Sequence, residues 1–340
     1  MKFIQSHKKV LGFLVAVLAF SGLVSSSVGA ESTTNSAQGL ELSPTLVELN
    51  AVRGSTYNIK IKLRNVTASN LVYSVSANDF NSTDETGSPH IILDSKLSIT
   101  ASVVDWVANI PQFSLASQVS KEINAQITIP NNAEPGGHYG VLRFSGSTPE
   151  ISSTGVGLSA SAGVLLLIRV DGNITEKANL ASFYSANGDN QSFFFESGPI
   201  NFVTRINNSG NIHLKPTGTI TLHDMFGGTV STMSVNSDKA NILPNSIRKF
   251  ESQYDGPWMI GRYTADLTLG YGTKGQAITS TISFWVIPYR LILVCLFAFA
   301  TIIFVLSRFI KVYNKHIIEK SKNEHKTKNH KITKEKRSKK

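Results

Sequence analysis

The chain has 340 residues, a formal charge of +10 and a single cysteine. Of its 33 Lys and Arg, thirteen lie from Arg308 onward against three Glu and three lie in the first thirty residues; Arg290 aside, residues 31–289 hold 16 basic against 20 acidic side chains. The middle of the chain is thus mildly acidic, which argues against a nucleic-acid-binding face there, and Cys295 alone excludes an intrachain disulfide.

Residues 1–30 read as a secretory signal peptide. Lys2, Lys8 and Lys9 precede the apolar stretch 10–20, and Val28-Gly29-Ala30 offers small residues for cleavage before Glu31. The alternative is an uncleaved anchor, against which the short apolar core and the small residues 25–30 weigh. Residues 56–64 then alternate polar and apolar side chains, as do 71–75 and 122–129, so that one face is buried and the other wet. Turn residues punctuate them at Arg53-Gly54-Ser55, Asn65-Val66-Thr67, Thr86-Gly87-Ser88-Pro89 and residues 131–137. Five Asn-x-Ser/Thr sequons (Asn65, Asn81, Asn173, Asn190, Asn207) read as turn chemistry before glycosylation.

A weak internal repeat divides the strands into two sets. Residues 59–63 run into Asn65-Val66-Thr67, and residues 201–206 into Asn207-Asn208-Ser209-Gly210-Asn211. Ile129-Pro130 with Gly137-His138-Tyr139 is echoed by Leu243-Pro244 with Gly261-Arg262-Tyr263. The expectation is an all-β chain of two tandem Ig-like β-sandwiches, residues 38–170 and 171–284, plus one C-terminal transmembrane helix. Asp171-Gly172-Asn173 marks the boundary, as hinge or as tight turn.

Residues 285–307 are expected to cross a membrane, since about twenty apolar residues rising 1.5 Å each span about 30 Å of hydrocarbon. Trp285 and Tyr289 stand at its outer edge, and Arg308, Lys311 and Lys315 follow it, which places the C-terminus in the cytoplasm. Residues 308–340 are basic, with Ile332 the one apolar side chain after Ile318, and are expected to be a disordered tail that sets orientation. Anionic lipid or intracellular nucleic acid is the other reading of that tail.

The order signal peptide, Ig-like domain, Ig-like domain, helix, Lys-rich tail resembles the WxL-interacting surface proteins of Gram-positive bacteria. Local matches are Asp79-Phe80, Trp106 with Phe113-Ser114-Leu115, and Ile127-Thr128-Ile129-Pro130 leading to Pro135-Gly136-Gly137-His138-Tyr139-Gly140. The second half adds Gly218, Ile220, Leu222, Asp224 and Gly227, then Pro244-Asn245-Ser246 and Gly261-Arg262-Tyr263. The resemblance implies a first domain that binds peptidoglycan and a second that binds a host or partner protein. Ala160-Ser161-Ala162-Gly163 and the insertion Asp255-Gly256-Pro257-Trp258 depart from that pattern.

Chemistry is sparse. Residues 78–87, with Asp79 and Asp84, offer oxygen ligands for calcium, but the spacing matches no EF-hand and such loops are ordinary turns. No His-x3-His or His-Glu pair suited to zinc and no Gly-x-Ser-x-Gly elbow occurs. Neighbouring His223 and Asp224 point to opposite faces of a strand, which suits no triad. No catalytic residue, metal or cofactor is expected. Trp106, Tyr139 and Phe144 read as core. Phe193-Phe194-Phe195 must put at least one ring outside, and Trp258 sits in a Gly-Pro-flanked loop, so Phe194 and Trp258 are the candidate binding residues. The expected function is non-catalytic binding of cell-wall polymer, a surface partner protein or a host ligand, with membrane attachment and without nucleic acid. The alternatives are an accessory ectodomain subunit of a membrane complex and, more remotely, an envelope hydrolase.

Overall fold

Alternating side chains become strands wherever the sequence shows them. The computed structural model describes residues 39–93, 101–147, 160–188, 190–256 and 258–338; the expected signal peptide, residues 1–30, lies outside the described residues. All described residues fall in one unit, Gly39–Lys340.

The first nine strands are β1 (Leu40–Ser43), β2 (Leu46–Ala51), β3 (Thr56–Asn65), β4 (Leu71–Asn81), β5 (His90–Ile92), β6 (Phe113–Leu115), β7 (Ser120–Thr128), β8 (Gly136–Ser147) and β9 (Ala160–Val170). One sheet has the order β1-β3-β7 and the facing sheet β2-β9-β8-β4-β5, with β6 also paired to β4. Ile61, Leu63, Ile127, Phe144 and Ile168 fill the space between them. They come from alternate positions of their strands, as a two-residue side-chain period requires. Each such aliphatic or aromatic side chain contributes about 1.5–3 kcal/mol by leaving water.

The second set is β10 (Ala178–Asn187), β11 (Asn190–Gln191), β12 (Phe194–Phe195), β13 (Ile200–Asn208), β14 (Thr217–His223), β15 (Thr229–Val235), β16 (Ser246–Tyr254), β17 (Gly261–Tyr271) and β18 (Gln276–Val286). Its sheets, β11-β10-β13-β16 and β12-β18-β17-β14-β15, repeat the order of the first set. In both, the five-strand order begins with a strand parallel to the last one, β2 on β9 and β12 on β18. Phe202, Phe284, Ile220 and Leu267 centre the second core. The fold is two tandem Ig-like β-sandwiches, each with its own core.

The repeat has a physical core. β3 and β13 each end on a fully buried Asn. Asn65 Nδ2 donates to the carbonyl of Ser69 at 2.8 Å, and its Oδ1 accepts from Thr67 N at 3.0 Å. Asn208 Nδ2 donates to the carbonyls of Ile212 and Ile242, both at 2.8 Å, and its Oδ1 accepts from Gly210 N at 2.9 Å. Both amides serve turn backbone that would otherwise be buried unpaired. An amide so enclosed leaves no room for a glycan on Asn65.

One helix, α1 (Tyr289–Ser338), follows β18. Two sequence expectations are corrected here. Trp285 belongs to β18, not to the helix: Phe284 and Val286 alternate into the core while Trp285 points out, and the helix begins after Pro288. The basic segment 308–338, expected to be disordered, is helical. No Gly or Pro follows Pro288, so nothing in the backbone stops a helix nucleated in the apolar run.

Candidate functional site

The two sandwiches meet at a junction built around Asn211. Its Oδ1 accepts from Thr175 N at 2.7 Å, its Nδ2 donates to the carbonyl of Asn173 at 2.9 Å, and its own carbonyl accepts from Gly137 N at 2.7 Å. These hydrogen bonds tie the linker after β9 to the β13–β14 loop and across to β8. Gly136 stands at φ +129°, and a Cβ there would lie 2.8 Å from the Asn211 carbonyl, so the close approach needs glycine.

Charges cross the same junction in pairs. Glu48 of β2 accepts from Lys215 Nζ at 2.6 Å and Asn241 Nδ2 at 2.8 Å. Burial pushes the Glu48 carboxyl up, but these hydrogen bonds and the Lys215 charge outweigh it, and the net direction is down. Glu85, in the β4–β5 loop, receives Arg205 Nε at 2.6 Å and a second guanidinium N–H on its other oxygen, while its carbonyl accepts from Lys249 N at 2.8 Å. The two-pronged hydrogen bond from Arg205 holds the Glu85 carboxyl below the usual carboxylate range. Arg169 and Glu176 approach to 3.8 Å. Under these pairs, Phe80, Tyr139, Val141 and Leu167 of the first sandwich pack with Leu243 of the second.

His213 closes this patch. Its Nδ1 lies 3.3 Å from the Tyr139 hydroxyl, with the rings edge to face. Burial pushes the imidazole down to about 4, and Lys215 and Arg169 act in the same direction against the opposing Glu48. Burial likewise pushes the Tyr139 phenol up.

Beside the patch lies a groove of about 490 Å³ with walls from both sandwiches, including Ser82, His138, Tyr139, Asn211 and Asn245. A smaller hollow of about 230 Å³ adjoins it. His138 is buried against Trp106, with ring centroids 4.4 Å apart, and its Nε2 meets the Glu134 carbonyl at 2.9 Å. With Nε2 as donor there, Nδ1 is left as a buried acceptor without a partner. The groove therefore offers the polar side chains of Ser82 and Asn245 beside an apolar flank from Phe80 and Leu243, which suits binding of a polar chain.

The residues singled out by sequence fall elsewhere. Trp258 is 83% exposed in the loop between β16 and β17, and Phe194 is 67% exposed on β12; Phe195 turns into the core. Both exposed rings lie at the end of the second sandwich from which α1 leaves, opposite the junction. Phe226, 90% exposed in the β14–β15 loop, joins them, and Met225-Phe226 ahead of Gly227-Gly228 is its signal in the sequence. Asp79 and Asp84 do not share a site. Asp79 sits in β4 and accepts from Val103 N at 3.1 Å, and Asp84 closes its own turn through Thr86. Among the described residues no three His, Cys, Asp or Glu side chains gather as a metal site. His223 approaches Asp266 of β17 and Thr229 at 3.4 Å each, across a partly exposed sheet face.

No protein-family model matches the chain, and no curated protein matches it. Among solved structures, it is similar to the class 5 fimbriae chaperone CfaA at 11% identity and a TM-score of 0.37, over 71% of this chain and 98% of that one. The E. coli chaperone DraB gives 15% identity and 0.33 over 72% and 96%. The Salmonella enterica SafA pilin–SafB chaperone complex gives 10% and 0.34 over 74% and 98%.

Proposed function

We propose that this chain is a membrane-anchored, non-catalytic surface protein whose junction groove binds a polar chain, either a cell-wall polymer or an extended segment of another surface protein. The observation that carries this reading is α1. Its apolar stretch starts three residues after the last strand of a complete sandwich and buries nothing against the protein. Such a helix is costly in water and stable in a bilayer. Arg308, Lys311 and Lys315 after the apolar run favour a cytoplasmic C-terminus with the sandwiches outside. The resemblance to WxL-interacting surface proteins points the same way.

The test is retention of the full chain, reconstituted in nanodiscs, on purified cell wall and on immobilised surface-protein extract, with soluble wall fragments as competitors. The Ser82→Trp chain, with an indole in the groove mouth, serves as comparison. Retention on one of the two matrices, lost with Ser82→Trp, is the expected result. Retention that survives this substitution refutes the groove, and absence of retention on both refutes the ligand class.

A further inference from the structure

The strongly exposed aromatic rings of the two sandwiches gather at one place. Phe193, Phe194, Phe226, Trp258 and Trp285 all lie where α1 emerges, and Met225 and Ile260 fill in between them. The register fixes this. Gly261 pairs with Val286 at the end of β18, Phe194 pairs with Trp285, and His223, just before the Phe226 loop, pairs with Thr264. The loops touch. A Cβ on Gly261 would lie 2.9 Å from Met225 Sδ, and one on Gly198 would lie 2.3 Å from the Gly256 carbonyl beside Trp258. Trp285 N donates to the Phe193 carbonyl at 2.8 Å, and Arg290 in the first turn of α1 reaches Glu196 at 3.4 Å.

The tether sets how far this end can stand from the bilayer. Val286 and Tyr289 are three residues apart, so at about 3.3–3.6 Å per residue the sandwich end lies within about 10 Å of the helix start. The headgroup layer on each side of the hydrocarbon is itself about 5–8 Å thick. A sandwich end this close, bearing amphipathic rings, matches the aromatic belt at membrane–water interfaces. Phe194 lies on one side of β18 in the sheet order, and Phe226 on the other, two to three strand spacings or about 10–14 Å away. Trp258 hangs from the loop that crosses between the sheets.

We propose that the helix-proximal end of the second sandwich is seated in the headgroup layer of the bilayer that α1 crosses, with Phe194, Phe226 and Trp258 as interfacial anchors around the helix root. This rests on the membrane crossing proposed above. It assigns lipid to the two rings that the sequence suggested for a ligand.

The experiment uses the full chain in phosphatidylcholine liposomes, with and without lipid brominated near the top of the acyl chain, and reads tryptophan emission. Trp285→Phe leaves Trp258 to report on the ring of interfacial anchors, and Trp258→Phe leaves Trp285 to report on the helix root; buried Trp106 is a constant background. The expected result is quenching of Trp258 comparable with that of Trp285, together with a blue-shifted Trp258 maximum. If Trp285 is quenched and Trp258 is not, the seating of the sandwich end is refuted while the helix reading stands, and Trp258 is free for a protein partner. If neither is quenched, the seating is likewise refuted, and the crossing is read separately from whether the chain stays with the liposomes after an alkaline carbonate wash, release refuting it.

Discussion

Acidification should open the junction between the sandwiches through His213. The imidazole is held down to about 4 by burial against Tyr139, with Lys215 and Arg169 nearby, whereas an unfolded histidine titrates near 6.5. Because the folded value is the lower one, the neutral ring's contribution is complete above pH about 6.5 and is lost as pH falls toward 4. The gap at about 1.4 kcal/mol per pH unit is about 3 kcal/mol, nearer 2 if water reaches one side of the ring. Hydrogen exchange reads this directly, since the Gly137 amide donates across the junction to Asn211. After correction for intrinsic exchange, its protection should drop about 30- to 140-fold between pH 7 and pH 4, following about 1.4 kcal/mol per tenfold. In His213→Gln, which cannot titrate, the drop should shrink to what the carboxylates Glu48 and Glu85 supply. Equal drops in the two chains would refute the assignment, as would a His213 proton resonance that titrates near 6.5.

Two core predictions follow from the same geometry. Asn208→Ala leaves the carbonyls of Ile212 and Ile242 and the amide of Gly210 without their partner, at about 2–4 kcal/mol; calorimetry should show the second sandwich melting several degrees lower, and an unchanged transition would contradict the role of this side chain. Gly218→Ala places a Cβ 2.0 Å from the Thr268 carbonyl, backbone against backbone. Opening β14 from β17 to admit it should cost about 1–3 kcal/mol, measured as a shift in denaturant midpoint, and a neutral substitution would show that the strands part more easily than argued.

The strands were legible because alternation is a local property: residues 56–64 carry their burial pattern in their own order, and β3 keeps it residue by residue. The Asn65–Asn208 equivalence showed only as a loose repeat, since what makes it physical is carbonyls supplied by other loops. The junction was not legible at all. Glu85 meets Arg205 from 120 residues away and Glu48 meets Asn241 from 193, and isolated Glu, Arg and Asn on strands look like any wet face. Phe284-Trp285-Val286 misled for another reason. A strand end buried on one face and an adjoining apolar helix read as one hydrophobic run, and only the alternation of Phe284 and Val286 separates them.

The two ends of the second sandwich divide the work of holding the molecule in place. At one end Asn211 ties the linker and Gly137 together and the Glu48 and Glu85 pairs lock the loops, so the groove inherits its geometry from both sandwiches at once. At the other, β18 passes into α1 through three residues, with Glu196 holding Arg290. Between them β17 and β18 pair along eleven successive positions, about 35 Å at 3.3 Å per residue. In the proposed reading, a ligand held in the groove pulls on the membrane helix along these strands, loading their hydrogen bonds together in shear rather than one at a time. For the proposed surface protein, that path would carry tension on a ligand to the helix without passing through a single strand end.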